Sequence, residues 1–309
     1  MHSQPEITPA NWAMVATLGL VWGATFLFIE LALRGITPFW LAAGRIGFAA
    51  LLAVAVWQLR GGKLFLTEDT AWGALALSGL FNSAVPFMLL SWGQQSVTSG
   101  FAGVSMASGA LIMLPLAHVF VPGERITPRR LIGMVVGFVG VTVLLGGQAF
   151  ASSGDPLEPF GRLACIGAAT CYAISSVLMR RLPPIDPFGL AALALVFGSL
   201  LVIPAAVVVE GLPPLPDAET LFIVALLGLI PTAGANMLRI LVIRSAGPVF
   251  MSLVSYQVPM WSVLLGILVL GEPFRVTLLL AMGLILLGVL ISQWGALQRL
   301  FRRGTTPSS

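Results

Sequence analysis

Apolar runs of about 20 residues recur along almost the whole chain, each long enough to cross ~30 Å of hydrocarbon as a helix. They begin with WAMVATLGLVWGATFLFIELALR at 12–34 and end with VTLLLAMGLILLGVLISQW at 276–294. A backbone in lipid must satisfy its own hydrogen bonds, so such runs can only be membrane helices. A transmembrane barrel would instead alternate apolar and polar residues over short segments. Composition agrees: of 309 residues 58% are hydrophobic and only 9% are charged, too few charges to cover a water-soluble surface. The expected fold is all-α and integral to the membrane.

Ten spans are expected, at about 11–33, 38–59, 70–92, 99–121, 130–147, 160–180, 187–209, 219–243, 248–270 and 275–296. Their connections carry turn residues: PGERITP at 122–128, SSGDPLEP at 152–159 and GLPPLP at 211–216. No soluble domain fits between them. The N-terminus lacks a basic segment followed by a cleavage site, so no removable signal peptide is expected.

Basic residues set the orientation. Arg60, Lys63, Arg125, Arg129, Arg130, Arg180, Arg181, Arg244, Arg299, Arg302 and Arg303 fall on the side that holds both termini, against Arg34, Arg162 and Arg275 on the other. That excess places both termini in the cytoplasm and the protein in the cytoplasmic membrane as a multi-pass chain. The net charge of +4 is spread over many short loops, which speaks for topology and against nucleic acid as a partner. Arg45 and Arg239 fall inside spans.

The chain repeats itself. PFWLAAGRIGFAALL at 38–52 returns as PFGLAALALVFGSLL at 187–201, identical at eight of fifteen positions. Gly-Glu pairs at 123–124 and 271–272 each precede an apolar run with glycine at the same offset, Gly140 and Gly288. Residues 1–147 and 148–309 are thus expected to be two five-helix repeats of one membrane domain. An odd number of spans inverts the second half relative to the first. Two inverted halves provide two arrangements of similar energy around a shared cavity, as alternating access requires. One chain carries both halves, so a monomer suffices.

WGATFLFIELAL at 22–33, Pro38 with Arg45 seven residues on, and VLGEPFRVTLLLAMGLILLGVLI at 269–291 together resemble the drug/metabolite transporter superfamily, and within it the ten-helix EamA-type exporters. The resemblance runs from about residue 12 to 294. It implies a central cavity lined by spans 1–4 and 6–9, with spans 5 and 10 peripheral, and export of amino acids, other metabolites or drugs.

Candidate substrate-binding residues follow from polarity and aromaticity near mid-span. Trp12, Trp40, Trp57, Trp72, Trp92 and Trp294 sit at span ends, as interfacial anchors do. Trp22, Trp261, Tyr172 and Tyr256 lie near mid-span, where their polar tips need partners inside the bundle. Thr25, Asn82, Ser105, Ser108, Ser175, Asn236 and Arg239 complete the set. Thr232, Asn236 and Arg239 share one face of span 8. Packing, or hydroxyls bonded to their own helix, is the competing explanation for the serines. Pro86, Pro115, Pro231 and Pro259 interrupt spans 3, 4, 8 and 9 and mark candidate kinks or gates. Arg45 has no counterpart cation in the second repeat, where Ala194 stands. An ion pair with Glu30 or an anchoring contact at the interface is expected for it.

Other chemistries find little support. Cys165 and Cys171, six apart on one span, cannot face each other, and no metal-ligand or nucleophile motif is present, so no cofactor, metal or catalytic residue is expected. No carboxylate lies at mid-membrane for proton-coupled drug efflux, and at most two buried cations are offered to a phosphate-bearing substrate. The expected activity is export of small metabolites, amino acids with aromatic or large apolar side chains foremost, by facilitated diffusion or exchange. A multidrug or other metabolite exporter of the same fold is the alternative; a membrane enzyme or scaffold is a remoter one. Proton exchange through His118 is a weaker variant, because that residue lies near the cytoplasmic end.

Overall fold

The computed structural model describes residues 8–120, 126–146, 155–180, 182–213 and 215–303. It is all-helical apart from an isolated bridge between Phe65 and Ile185 among the described residues. The helices are α1 (Pro9–Ala32), α2 (Pro38–Leu59), α3 (Trp72–Gly93), α4 (Ser99–Phe120), α5 (Pro128–Gly146), α6 (Glu158–Arg180), α7 (Pro187–Glu210), α8 (Ala218–Ala246), α9 (Val254–Leu270) and α10 (Val276–Arg303). Eight of them are long and apolar enough to cross a membrane, and α9 is a shorter apolar helix. Proline opens α1, α2, α5 and α7, where its missing N–H costs nothing. Asp186 and Asp217 cap α7 and α8, accepting from Gly189 N at 2.9 Å and Thr220 N at 2.8 Å. The Gly-Glu pair at 123–124, Arg125, Arg181, most of the 122–128 connection and the first three residues of the 152–159 connection lie outside the described residues.

Two expectations need correction. The helix expected over 248–270 is broken: a single turn, Pro248–Met251, precedes α9. Across the break, Leu253 N bonds Phe250 O, Ser255 N bonds Ser252 O and Tyr256 N bonds Leu253 O. These tighter three-residue bonds replace the four-residue ladder. Secondly, α3 and α8 are not simply bent at proline. Each contains a π segment, Leu80–Ala84 and Gly228–Gly234. Pro86 cannot donate to the carbonyl of Asn82, nor Pro231 to that of Leu227, and each ring crowds the carbonyl it fails to bond. Widening the helix to a five-residue repeat relieves the conflict at Pro231, which lies inside its π segment; in α3 the π segment ends two residues before Pro86.

The bundle packs α5 on α10, α2 on α7, α4 on α9, α1 on α9 and α4 on α6. It also packs α2 on α8, α3 on α7, α1 on α8 and α3 on α6. Glycines permit the closest approaches. A Cβ on Gly140 would lie 2.8 Å from Ile285 N of α10. Between membrane helices, where apolar burial provides no drive, such close van der Waals contact supplies much of the attraction.

Candidate functional site

The π segment of α8 is where the polar groups converge. Pro231 offers the Leu227 carbonyl no α-helical donor, and the Thr232 hydroxyl bonds it at 2.8 Å. The same hydroxyl oxygen accepts from Arg45 Nε at 2.8 Å. Trp22 Nε1 donates to the Pro231 carbonyl at 2.9 Å, and Asn236 Nδ2 donates to the Thr232 carbonyl at 2.5 Å. Side chains from α1 and α8 thus meet the carbonyls of the irregular backbone, and Arg45 of α2 bonds one of those side chains. Polar backbone at membrane depth is tolerated where protein groups meet it in this way.

Arg45 is 6% exposed. Its guanidinium carbon lies 3.9 Å from the centre of the Phe87 ring of α3, a cation–π contact. Tyr172 of α6 packs against the same apolar cluster as Phe87. The expected pairing with Glu30 is not made. Arg45 bonds Thr232 instead, and among the described residues it meets no carboxylate. Glu30 faces a different space, a cavity of about 380 Å³ lined with Arg34, Gln94, Asp155 and Glu272. The reason is geometric: Arg45 points across α2 toward α8, while Glu30 sits near the end of α1 beside the α3–α4 connection.

The contact carrying Arg45 has a counterpart built from residues 149 positions apart. A Cβ on Gly228 would lie 2.6 Å from Phe48 Cβ and 2.7 Å from Arg45 O; one on Gly79 would lie 2.9 Å from Phe197 Cβ and 2.6 Å from Ala194 O. Ser83 stands where Thr232 stands, bonding Gly79 O at 2.8 Å and Ala194 O at 3.4 Å. Ala194 takes the place of Arg45, so the second contact carries no cation.

The remaining candidates fall into three groups. Thr25, Ser105 and Ser108 spend their hydroxyls on their own helices, bonding Val21 O, Phe101 O and Ser105 O at 3.0, 2.9 and 2.6 Å. Ser175 Oγ and Tyr256 OH are buried with no hydrogen-bond partner among the described residues, and Asn82 is half-buried inside the α3 π segment. Arg239 is half-buried two turns beyond Thr232 on α8, with no ion pair among the described residues. Trp261 packs against Gly23 and lines an apolar groove of about 530 Å³ with Gln257, Met260 and Phe274. Pro115 lies within α4 and Pro259 within α9, where Ser262 Oγ bonds the Pro259 carbonyl at 3.0 Å.

Sequence reasoning did not single out Phe87, read Arg45 as an ion pair or anchor, and placed Thr232 only on the polar face of span 8 with Asn236 and Arg239. The signal for Phe87 and Thr232 was the pair of prolines, Pro86 and Pro231: each residue stands one position past one of them.

A model of the EamA-like transporter family matches the chain twice, over residues 11–146 and 159–294. The chain belongs to that family. It is 25% identical over 282 residues to an uncharacterized transporter of Archaeoglobus fulgidus, covering 91% of this chain and 98% of that protein. It is 31% identical over 147 residues to a probable terminal-alkyne amino-acid exporter of Streptantibioticus cattleyicolor, covering 47% of this chain and 48% of the exporter. A solved crystal structure shares the fold at a TM-score of 0.65 and 22% identity, covering 95% of this chain and 99% of that one. The protein is a multi-pass membrane transporter, not an enzyme.

Proposed function

We propose that this transporter exports small metabolites, amino acids with aromatic or large apolar side chains foremost, across the cytoplasmic membrane by alternating access. The carrying observation is the convergence of Trp22, Thr232 and Asn236 on the α8 π segment, with Phe87 against Arg45 and Tyr172 packed on the same cluster as Phe87. Aromatic faces with a few fixed polar groups suit a small molecule that has an apolar end and a polar end. The Streptantibioticus relative, a probable terminal-alkyne amino-acid exporter, supports an amino acid as the cargo.

In this reading the site comprises Trp22, Asn82, Tyr172, Ser175, Asn236 and Arg239, with Tyr256 and Trp261 toward α9. Thr25, Ser105 and Ser108 act in packing. Ten spans form two inverted five-helix halves with both termini in the cytoplasm. The doubled family match and the paired contacts of Gly79 and Gly228 support the two halves. Pro86 and Pro231, beside or within the π segments, provide the bending points.

The test is flux in proteoliposomes. Trp22→Ala and Tyr172→Ala should each lower phenylalanine flux by about three- to tenfold, the worth of an aromatic contact, in protein that stays folded and inserted. Unchanged flux in both removes the aromatic site. A cationic drug moved in place of any amino acid shifts the substrate class to multidrug export.

A further inference from the structure

We propose that Arg45 is the carboxylate-recognition residue of the central site, and that the carrier therefore requires a substrate with a free carboxylate. The inference rests on the carrier reading above and deepens it.

A buried guanidinium normally has an anion. Arg162 has Glu158 one turn away, and Arg34 shares its cavity with Glu30, Asp155 and Glu272. Arg45 is more enclosed than Arg34 and has only a hydroxyl and a ring. The Thr232 bond occupies Nε, and the Phe87 contact occupies one face of the plane. Neither contact takes the Nη donors, and no hydrogen bond from them is made to the described residues. Those in-plane donors match the two oxygens of a carboxylate, the fork-to-fork pairing that arginine makes best.

The fold does not require a cation at this position. The repeat-related contact between α3 and α7 closes equally tightly with Ala194 in place of Arg45 and Ser83 in place of Thr232. Packing alone therefore does not explain an arginine whose insertion into a membrane interior is costly. Arg45 also orients the ligand: the carboxylate turns toward its Nη donors, and the apolar end lies against the neighbouring aromatic faces of Trp22 and Tyr172.

The experiment uses the full chain in proteoliposomes and reads inhibition of labelled phenylalanine flux, together with direct flux of each labelled compound. The panel is phenylalanine, phenylalaninamide, phenethylamine, phenylpyruvate and a cationic drug. The wild type should favour the two acids over the amide and the amine by about tenfold or more, the scale of a hydrogen bond to a charged group. Arg45→Gln should lose that preference, and Arg45→Lys should restore part of it.

Equal handling of phenylalanine and its amide by the wild type overturns the assignment while leaving the carrier reading intact. So does a preference for acids that survives in Arg45→Gln. Flux of phenylpyruvate without phenylalanine sinks the amino-acid reading and upholds the role of Arg45. Flux of the drug alone overturns both. The wild-type panel decides the matter even if an Arg45 variant fails to fold.

Discussion

One hydroxyl, that of Thr232, bonds the Leu227 carbonyl that Pro231 cannot and holds Arg45 against Phe87. Thr232→Val keeps the shape and removes both bonds. It should cost about 1–3 kcal/mol, the price of a buried unsatisfied group, measured as thermal unfolding in detergent. Thr232→Ser should recover most of the loss. A valine variant as stable as the wild type would show that the π segment holds without that hydroxyl. Glycine gives a second contrast. Gly228→Ala drives a Cβ to 2.7 Å from Arg45 O and should destabilise by about 1–3 kcal/mol, as overpacking does. Gly47→Ala meets nothing within 4 Å. It should be neutral or stabilising by up to about 1 kcal/mol through helix propensity. Equal effects at the two positions would contradict the close α2–α8 contact.

Helices far apart in the sequence are tied at their ends by carboxylates. Glu210, closing α7, accepts from Thr37 Oγ1, Phe39 N and Trp40 N at 2.5, 3.0 and 3.2 Å and so caps α2. Glu272, past α9, accepts from Ser99 N, Ser99 Oγ and Gly100 N at 2.7, 2.6 and 3.1 Å and caps α4. A negative charge at a helix N-terminus also meets the positive end of the dipole. Glu272→Gln should lower stability by about 1 kcal/mol, read as a lower Tm; an unchanged Tm would mean that the charge contributes nothing there. At the head of α8, the Thr220 side chain and backbone hydrogen-bond the Asp217 carboxylate and hold it below the usual carboxylate range. A depressed folded-state pKa stabilises the fold above the unfolded value and stops doing so as pH falls through the folded value. Asp217→Ala should therefore flatten the loss of stability below about pH 4. An unaltered acid limb would show that the cap does not act through its charge.

At the scale of the whole molecule, the apolar runs and the basic residues bounding them made most of the architecture readable. The 38–59 helix was legible to the residue, because Pro38 starts it and Arg60 ends its apolar stretch. The break at Ser252 was not, since nothing in the run from Pro248 to Leu270 differs in hydropathy from an unbroken span. Trp22 was readable as a polar tip needing a partner, yet the partner, a carbonyl 209 residues away, depends on tertiary packing. Arg45 was visible as a charge inside a span, but its distance from any carboxylate emerges only once α2 is docked on α8. The orientation has its own check. A single cysteine at exposed Leu212 should react with an impermeant maleimide from outside the cell, and one at exposed Leu66 only after permeabilisation. Cys165 and Cys171 are buried and should stay silent. Reversed labelling would invert the topology. The central claim, that this is an amino-acid carrier, is tested most directly by counterflow. Proteoliposomes loaded with unlabelled phenylalanine or leucine, with no ion gradient, should transiently concentrate labelled phenylalanine. Absence of counterflow with every amino acid tried, in vesicles that do move a cationic drug, would contradict the account.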